Sequence, residues 1–417
     1  MTEEMIHKSE AAQQSASAQN APDTVIVPPT KPIEAAPSKS SEPEPVAPLR
    51  FEFTGTGAEY FRIWVVNLLL TIVTVGVYSA WAKVRRVQYF YRNTRFDGAV
   101  FDYHGNPKAI LKGRILALVL VVAYKISFEI SGIVTMVVVL VLAAIMPWLL
   151  SRSFRFKLAN TSYRGVHFRF QGTVVEAYRT LILFPVVLTF TGLFVWSLFA
   201  SYSKSPSVSM IIMLVLLVLI VMGGTVPLAH HLLKRYQHDN AYFGQMPFFY
   251  YGRAVDFFKI YGKAIGFVIL GSIVTGILGH IFAPVSKALL TTQLGWLFQF
   301  LFGLLGAYVL YLFARPYLES RIQNLVWNNT EVGDHRFQST ASARKLLLIH
   351  ATNLLLITLT FGLFKPFAAV RLAKYRLENL ALVATESLDE ILADPEADQA
   401  GALGQEAGDF FDIDIAI

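Results

Sequence analysis

Cysteine is absent from the 417-residue chain, so disulfide frameworks, thiolate metal sites and thiol redox chemistry are excluded at once. Charge is scarce: Asp, Glu, Lys and Arg supply 16% of residues against 54% hydrophobic ones. Soluble domains carry about 25% charge, and this chain is too apolar for that class. Enzyme signatures are missing too. There is no G-x-x-x-x-G-K-[ST] phosphate loop, no G-x-S-x-G elbow, no H-E-x-x-H pair and no paired carboxylates in the apolar body. An enzyme is therefore not expected, nor is a cofactor or a metal. Residues 1–50 lack a basic head followed by an apolar core, so a cleaved signal peptide is not expected either.

What the chain does have is length of apolar run. "SGIVTMVVVLVLAAIMPWLL" (131–150) and "VSMIIMLVLLVLIVMGGTVPLA" (208–229) are long enough as helices to cross a bilayer core of roughly 30 Å. Outside the apolar body, residues 1–50 are rich in Ser, Pro, Ala and Glu and read as a disordered N-terminal tail. Residues 381–417 read as an acidic, largely disordered C-terminal tail, with ten acids and no Lys or Arg between 386 and 417. The body between 51 and 385 holds 32 bases and 12 acids, a net charge of +20. These bases flank apolar spans, which is the positive-inside pattern, so topology accounts for them and nucleic acid is not an expected partner.

One phrase recurs. "NTRFDGAVFDYHG" from Asn93 is followed by "NTSYRGVHFRFQG" from Asn160, "NAYFGQMPFFYYG" from Asn240 and a weaker "NNTEVGDHRFQST" from Asn328. A half copy, "FEFTG", opens the body at Phe51. The positions that carry the phrase are Asn93, Thr94, Gly98 and Phe101; Asn160, Thr161, Gly165 and Phe168; and Asn240 and Phe248. Asp97-Gly98 is a two-residue turn signal, and apolar residues alternate with polar ones after it, so the phrase predicts a β-hairpin. Such hairpins are expected at the headgroup level or paired into a small cytoplasmic sheet. A shared origin by internal duplication explains the recurrence most economically.

Between the phrases lie three long units, each with room for two spans: 111–128 with 131–150, 180–202 with 208–231, and 264–283 with 295–314. Two short units flank them, and "NLLLTIVTVGVYSAWAKVRRVQY" (67–89) aligns without gaps with "NLLLITLTFGLFKPFAAVRLAKY" (353–375). The bases gather at the phrase ends, as with Lys83, Arg85, Arg86, Arg92 and Arg95, which puts every copy and both termini in the cytoplasm. A single crossing in each short unit, at 63–81 and 346–364, would break that parity. Re-entrant hairpins bending at Gly76 and Gly362 restore it, since glycine accepts backbone angles other residues resist. Eight simple crossings are the alternative. The expected fold is thus an all-α polytopic membrane protein: three transmembrane helix hairpins, two shorter segments and small cytoplasmic β-hairpins between them.

Candidate functional residues are few. Lys125 and Glu129 stand four apart on one helical face near the outer end of a span, a candidate intramembrane charged pair. The stretch "GVYSAWAKVRRVQYFYRNTRFDGAVFDYHG" (76–105), above all Tyr78, Trp81, Arg85, Arg86, Tyr89, Asn93, Thr94 and Gly98, resembles the YjgN-like family of bacterial inner-membrane proteins. The resemblance covers about 51–380 and implies a polytopic inner-membrane protein; the family's function is unassigned and it brings no site residues. Transport or channel activity is the leading specific expectation, because re-entrant backbone needs shelter from protein or a water cavity. The rival is a scaffold or lipid-contacting regulator. Expected partners are membrane lipids, including anionic headgroups at the cytoplasmic face, and a protein docked on the acidic tail.

Overall fold

The computed structural model describes residues 48–202, 207–290 and 295–384, so the expected tails fall almost wholly outside the described residues. Every apolar segment becomes a helical hairpin held between two short strands. The first unit is β1 (Leu49–Phe53), α1 (Gly57–Val73), α2 (Ser79–Arg92) and β2 (Thr94–Phe96). The second is β3 (Ala99–Tyr103), α3 (Pro107–Ile130), α4 (Gly132–Ala159) and β4 (Thr161–Tyr163). The third is β5 (Val166–Phe170), α5 (Val174–Leu181), α6 (Leu183–Tyr202), α7 (Val208–Asp239) and β6 (Ala241–Phe243). The fourth is β7 (Met246–Tyr250), α8 (Ala254–Leu290), α9 (Gly295–Trp327) and β8 (Thr330–Val332). The fifth is β9 (His335–Ser339), α10 (Ala343–Leu359), α11 (Lys365–Glu378) and β10 (Leu380–Val383).

Among the described residues, five helices, α4, α6, α7, α8 and α9, are long and apolar enough to cross a membrane. Helix α3 pairs with α4 but carries Lys108, Lys112, Arg114, Lys125 and Glu129.

The strands overturn the all-α expectation. Each has two antiparallel neighbours, and the order β1-β10-β9-β8-β7-β6-β5-β4-β3-β2 closes into a ten-stranded barrel. The physical reason lies in strand length. Four of the strands, β2, β4, β6 and β8, have three residues each, and a lone hairpin so short is not stable in water. Pairing all ten in a ring leaves no backbone edge unsatisfied. The ring is completed by the two ends of the body: Leu49 faces Leu382 and Arg50 faces Ala381. The half phrase at Phe51 therefore meets the residues after Asn379, and together they make a fifth strand pair with no turn between them.

Connectivity then fixes orientation. Phe53 faces Thr94, Tyr103 faces Thr161, Phe170 faces Ala241, Tyr250 faces Thr330 and Ser339 faces Leu380, each at a strand–helix junction. All helices consequently leave from one rim of the barrel, while the tight turns and both ends of the body lie on the other.

Aromatic rings fill the interior. Phe51, Phe101, Phe168, Phe248 and Phe337, one from each unit, follow one another with ring centroids 6.2, 6.4, 6.4 and 6.2 Å apart. Phe96, Tyr163 and Phe243 pack onto Phe51, Phe101 and Phe168 at 4.5, 4.7 and 4.9 Å. Separations in this range are those of favourable aromatic contact. The barrel is a packed core, not a pore.

Candidate functional site: an amphipathic chamber on the helix rim

The repeated phrase turns out to be fastening. Asn93, Asn160, Asn240, Asn329 and Asn379 each end a helix, and each carboxamide donates to the carbonyl four residues back: Tyr89 at 2.8, Phe156 at 2.7, Tyr236 at 3.0, Leu325 at 2.7 and Tyr375 at 2.7 Å. These side chains satisfy carbonyls that a helix end leaves orphaned. The backbone carbonyl of the same five residues accepts from Thr54, His104, Gln171, Tyr251 and Thr340, which ties the end of one helix to the approach of its partner. Thr94 and Thr161 add hydroxyl bonds to Phe90 and Lys157 at 2.8 and 2.9 Å. Gly98 and Gly165 sit second in their turns at φ +74° and +80°, after Asp97 at +44° and Arg164 at +49°. Positive φ at both positions is the type I′ geometry that matches strand twist. In the next two hairpins the glycine comes first instead, at Gly244 and Gly333. Phe101, Phe168 and Phe248 belong to the barrel core.

The closing glycine has its own cause. A Cβ on Gly55, Gly105, Gly172 or Gly252 would come within 3 Å of the aromatic ring two residues earlier. In the weakest copy the aromatic is replaced by Ser339, and the glycine by Ala341. Both departures belong to one packing arrangement.

Gly76 and Gly362 lie at the tips of the two short hairpins, with φ +89° and +92°. Each short hairpin returns the chain to the rim it left, because β1 and β2, and β9 and β10, are paired neighbours. Lys125 and Glu129 are exposed on the last turns of α3, and no ion pair joins them among the described residues.

A different cluster is brought together. Between α4, α5, α6, α7, α8, α9 and α11 lies a chamber of about 590 Å³. It reaches down to Trp327, whose ring lies 4.8 Å from that of Phe337 in the barrel. Its two sides differ. The side made by α4, α5 and α6 is apolar, with Met146, Leu150, Leu181, Phe184 and Leu188; α9, α11 and the end of α7 contribute Arg315, Glu319, Gln323, Arg376, Lys234 and Gln237.

Glu319 organises the polar side. Its side chain is 6% exposed; Oε2 is 2.7 Å from Nε2 of His350 and 3.8 Å from Nε of Arg315, and Oε1 is 3.3 Å from Nη1 of Arg376. The Arg376 contact is an ion pair without hydrogen-bond alignment. Tyr311 holds the other ring nitrogen of His350 at 3.0 Å. A buried carboxylate requires such partners to offset desolvation. Gln323 donates to the Arg376 carbonyl at 3.0 Å, and Lys234 donates to Oε1 of Gln237 at 3.2 Å. Nε2 of Gln237, a residue 2% exposed, has no hydrogen-bond partner among the described residues. Three cationic side chains thus share this wall with one carboxylate, which gives the chamber an anion-attracting side opposite an apolar one.

Residues 48–410 match the family model described as "Bacterial protein of unknown function (DUF898)". The chain belongs to this family. Among similar proteins, the "Inner membrane protein YjgN" of Salmonella typhimurium is 26% identical over 353 residues, covering 78% of this chain and 86% of that protein. Proteins of the same name from Escherichia coli O157:H7 and strain K12 are 29% and 28% identical over 207 residues, 46% of this chain and 50% of theirs. No solved structure matches. The YjgN-like resemblance of residues 76–105 is thereby established as family membership.

Sequence reasoning missed the chamber of this DUF898 protein, although one signal points to it. Glu319 is the only acid between Asp256 and Glu331 and sits beside a long apolar run. On the outside of α8 and α9, a separate groove is lined by Lys259, Lys263, Tyr317 and Arg321.

Proposed function

We propose that this protein is a non-enzymatic inner-membrane protein that takes an anionic molecule into the chamber, as the binding site of a transporter. One observation carries the reading: Arg315, Arg376 and Lys234 line one side of the chamber, where Glu319 is the only acidic lining residue among the described residues. Positive charge gathered on one side of a recess that is apolar on the other attracts an anion, the more so where water is partly excluded. A channel along the barrel axis is not part of the proposal, since Phe51, Phe101, Phe168 and Phe248 occupy that axis region as buried residues. The inner-membrane assignment follows the names of the relatives. Basic residues crowd the barrel end of the helices, which under the positive-inside rule supports a cytoplasmic barrel with cytoplasmic termini.

The test is thermal unfolding of the detergent-purified full chain with inorganic phosphate, succinate or phosphatidylglycerol. At least one of these anions is expected to raise the Tm, as any ligand of the folded state does, and Arg376→Gln should abolish the shift. No shift with all three, or an undiminished shift in the variant, defeats the reading. A second reading, a lipid-contacting scaffold, is favoured by the outer groove of Lys259, Lys263 and Arg321, which suits anionic headgroups. Its mark would be lipid binding lost with Lys263→Gln and Arg321→Gln while the chamber variants behave normally. Docking of a protein on the acidic tail belongs to this reading and is tested by deleting 386–417.

A further inference from the structure

The heights of the helices show from where the chamber can be filled. The two short hairpins stand side by side, since β1 pairs with β10 and α1 packs on α11. Tyr308 of α9 hydrogen-bonds Thr358, near the tip of α10, at 2.8 Å. The part of α9 from Gly295 to Tyr308 therefore extends about 20 Å past that tip at 1.5 Å per residue. On the other flank, Arg114 of α3 bonds Ser79 at the tip of α2. The remainder of α3, to Ile130, runs about 24 Å further. The three long hairpins thus form an arc with one open side, and the opening, about 20–24 Å tall, covers most of a hydrocarbon core of roughly 30 Å.

The two tips below the opening are apolar. Val75 and Phe361, at the two short tips, are 93% and 96% exposed. Residues of this kind belong in lipid. The opposite approach, through the barrel, is filled by aromatic rings.

We infer that the chamber's ligand is a membrane amphiphile with an anionic headgroup, which enters sideways from the bilayer, between α3 and α9, over the tips of the short hairpins. This rests on the reading of the chamber as an anion site and names the ligand class. The headgroup meets Arg315, Arg376 and Lys234, and the chains lie along Leu181, Phe184 and Leu188. A ligand already dissolved in the bilayer needs no aqueous path, whereas a free solute would have to cross lipid to use this opening.

The experiment places the full chain in phosphatidylcholine nanodiscs doped with lipid whose acyl chains carry bromine, a contact quencher of tryptophan. The quenching that disappears in Trp327→Phe reports the chamber floor. Brominated phosphatidylglycerol is expected to quench that component more than brominated phosphatidylcholine, by roughly fivefold in apparent affinity for each arginine engaged. Arg315→Gln with Arg376→Gln should bring the two lipids level. Leu188→Phe, at a position tolerant of bulk, should weaken quenching by both without unfolding the protein. Equal quenching by the two headgroups, or none, overturns the inference. If phosphate or succinate still raises the Tm through Arg376 in that case, the chamber serves a soluble anion and only the lipid identity falls; if nothing binds, both readings fall.

Discussion

The barrel and the chamber are consecutive layers of one chain, the first built by all five units and the second lined by four of them, and they treat their contributors differently. Every unit gives the barrel the same thing, a phenylalanine at the centre and an asparagine at the junction. The chamber takes something different from each: apolar surface from α4 and α6, Lys234 from α7, Arg315 and Glu319 from α9, Arg376 from α11. Uniform parts close a ring and fill it. Departures from uniformity leave a space and give it a charged side, so the framework is found in what recurs and the site in what does not.

That contrast can be broken at several strengths. The largest effect is expected from Phe168→Ala in the barrel: removal of a fully packed aromatic costs about 3–5 kcal/mol, and the apparent Tm in detergent should fall steeply. A small loss would mean that the barrel is not the framework. Glu319→Gln in the chamber should cost less, about 1–3 kcal/mol for groups left without their charged partner, while strengthening the Tm shift produced by phosphatidylglycerol. Stability and anion affinity moving in the same direction would contradict the division of roles.

Gly105→Ala, which drives a methyl into the Tyr103 ring, should cost about 1–3 kcal/mol, whereas Ala341→Gly beside Ser339 should cost under about 1 kcal/mol. Equal effects would remove the account of the weakest copy. Asn160→Ala forfeits a single capping hydrogen bond, worth about 1 kcal/mol, and thermal unfolding against wild type measures it. The smallest effect concerns Asp102, on the outer face of the barrel. Burial raises its pKa, but the Arg92 guanidinium at 2.8 Å and the Tyr103 N–H outweigh this and hold it below the usual carboxylate range. Its contribution is therefore present above the ordinary Asp pKa and lost as pH falls through the lowered one. With both groups partly in water it amounts to less than about 1 kcal/mol, and Asp102→Asn should flatten the acid limb of the stability profile by that much.

Some of this was legible in the residues. Asp97-Gly98 announced its turn, Gly76 and Gly362 stand at the tips of the short hairpins, and the apolar lengths separated long hairpins from short ones. Barrel closure was not legible, because a three-residue strand leaves almost no periodicity and the last strand pair joins Leu49 to Leu382. The polar site was misplaced for a related reason. Lys125 and Glu129 are neighbours along one helix, which spacing reveals, whereas Glu319, His350 and Arg376 come from three helices and meet only when α9, α10 and α11 pack.

By itself the sequence determined a membrane protein of paired helices with a recurring hairpin at one end, because hydropathy and turn chemistry act over a few residues. Tertiary structure alone decided that the hairpins close into a ring, that the ring is stoppered by phenylalanines, and that a carboxylate and three cations share one chamber. Those outcomes depend on which backbone edges and side chains find each other across hundreds of residues, and no local pattern encodes that distance.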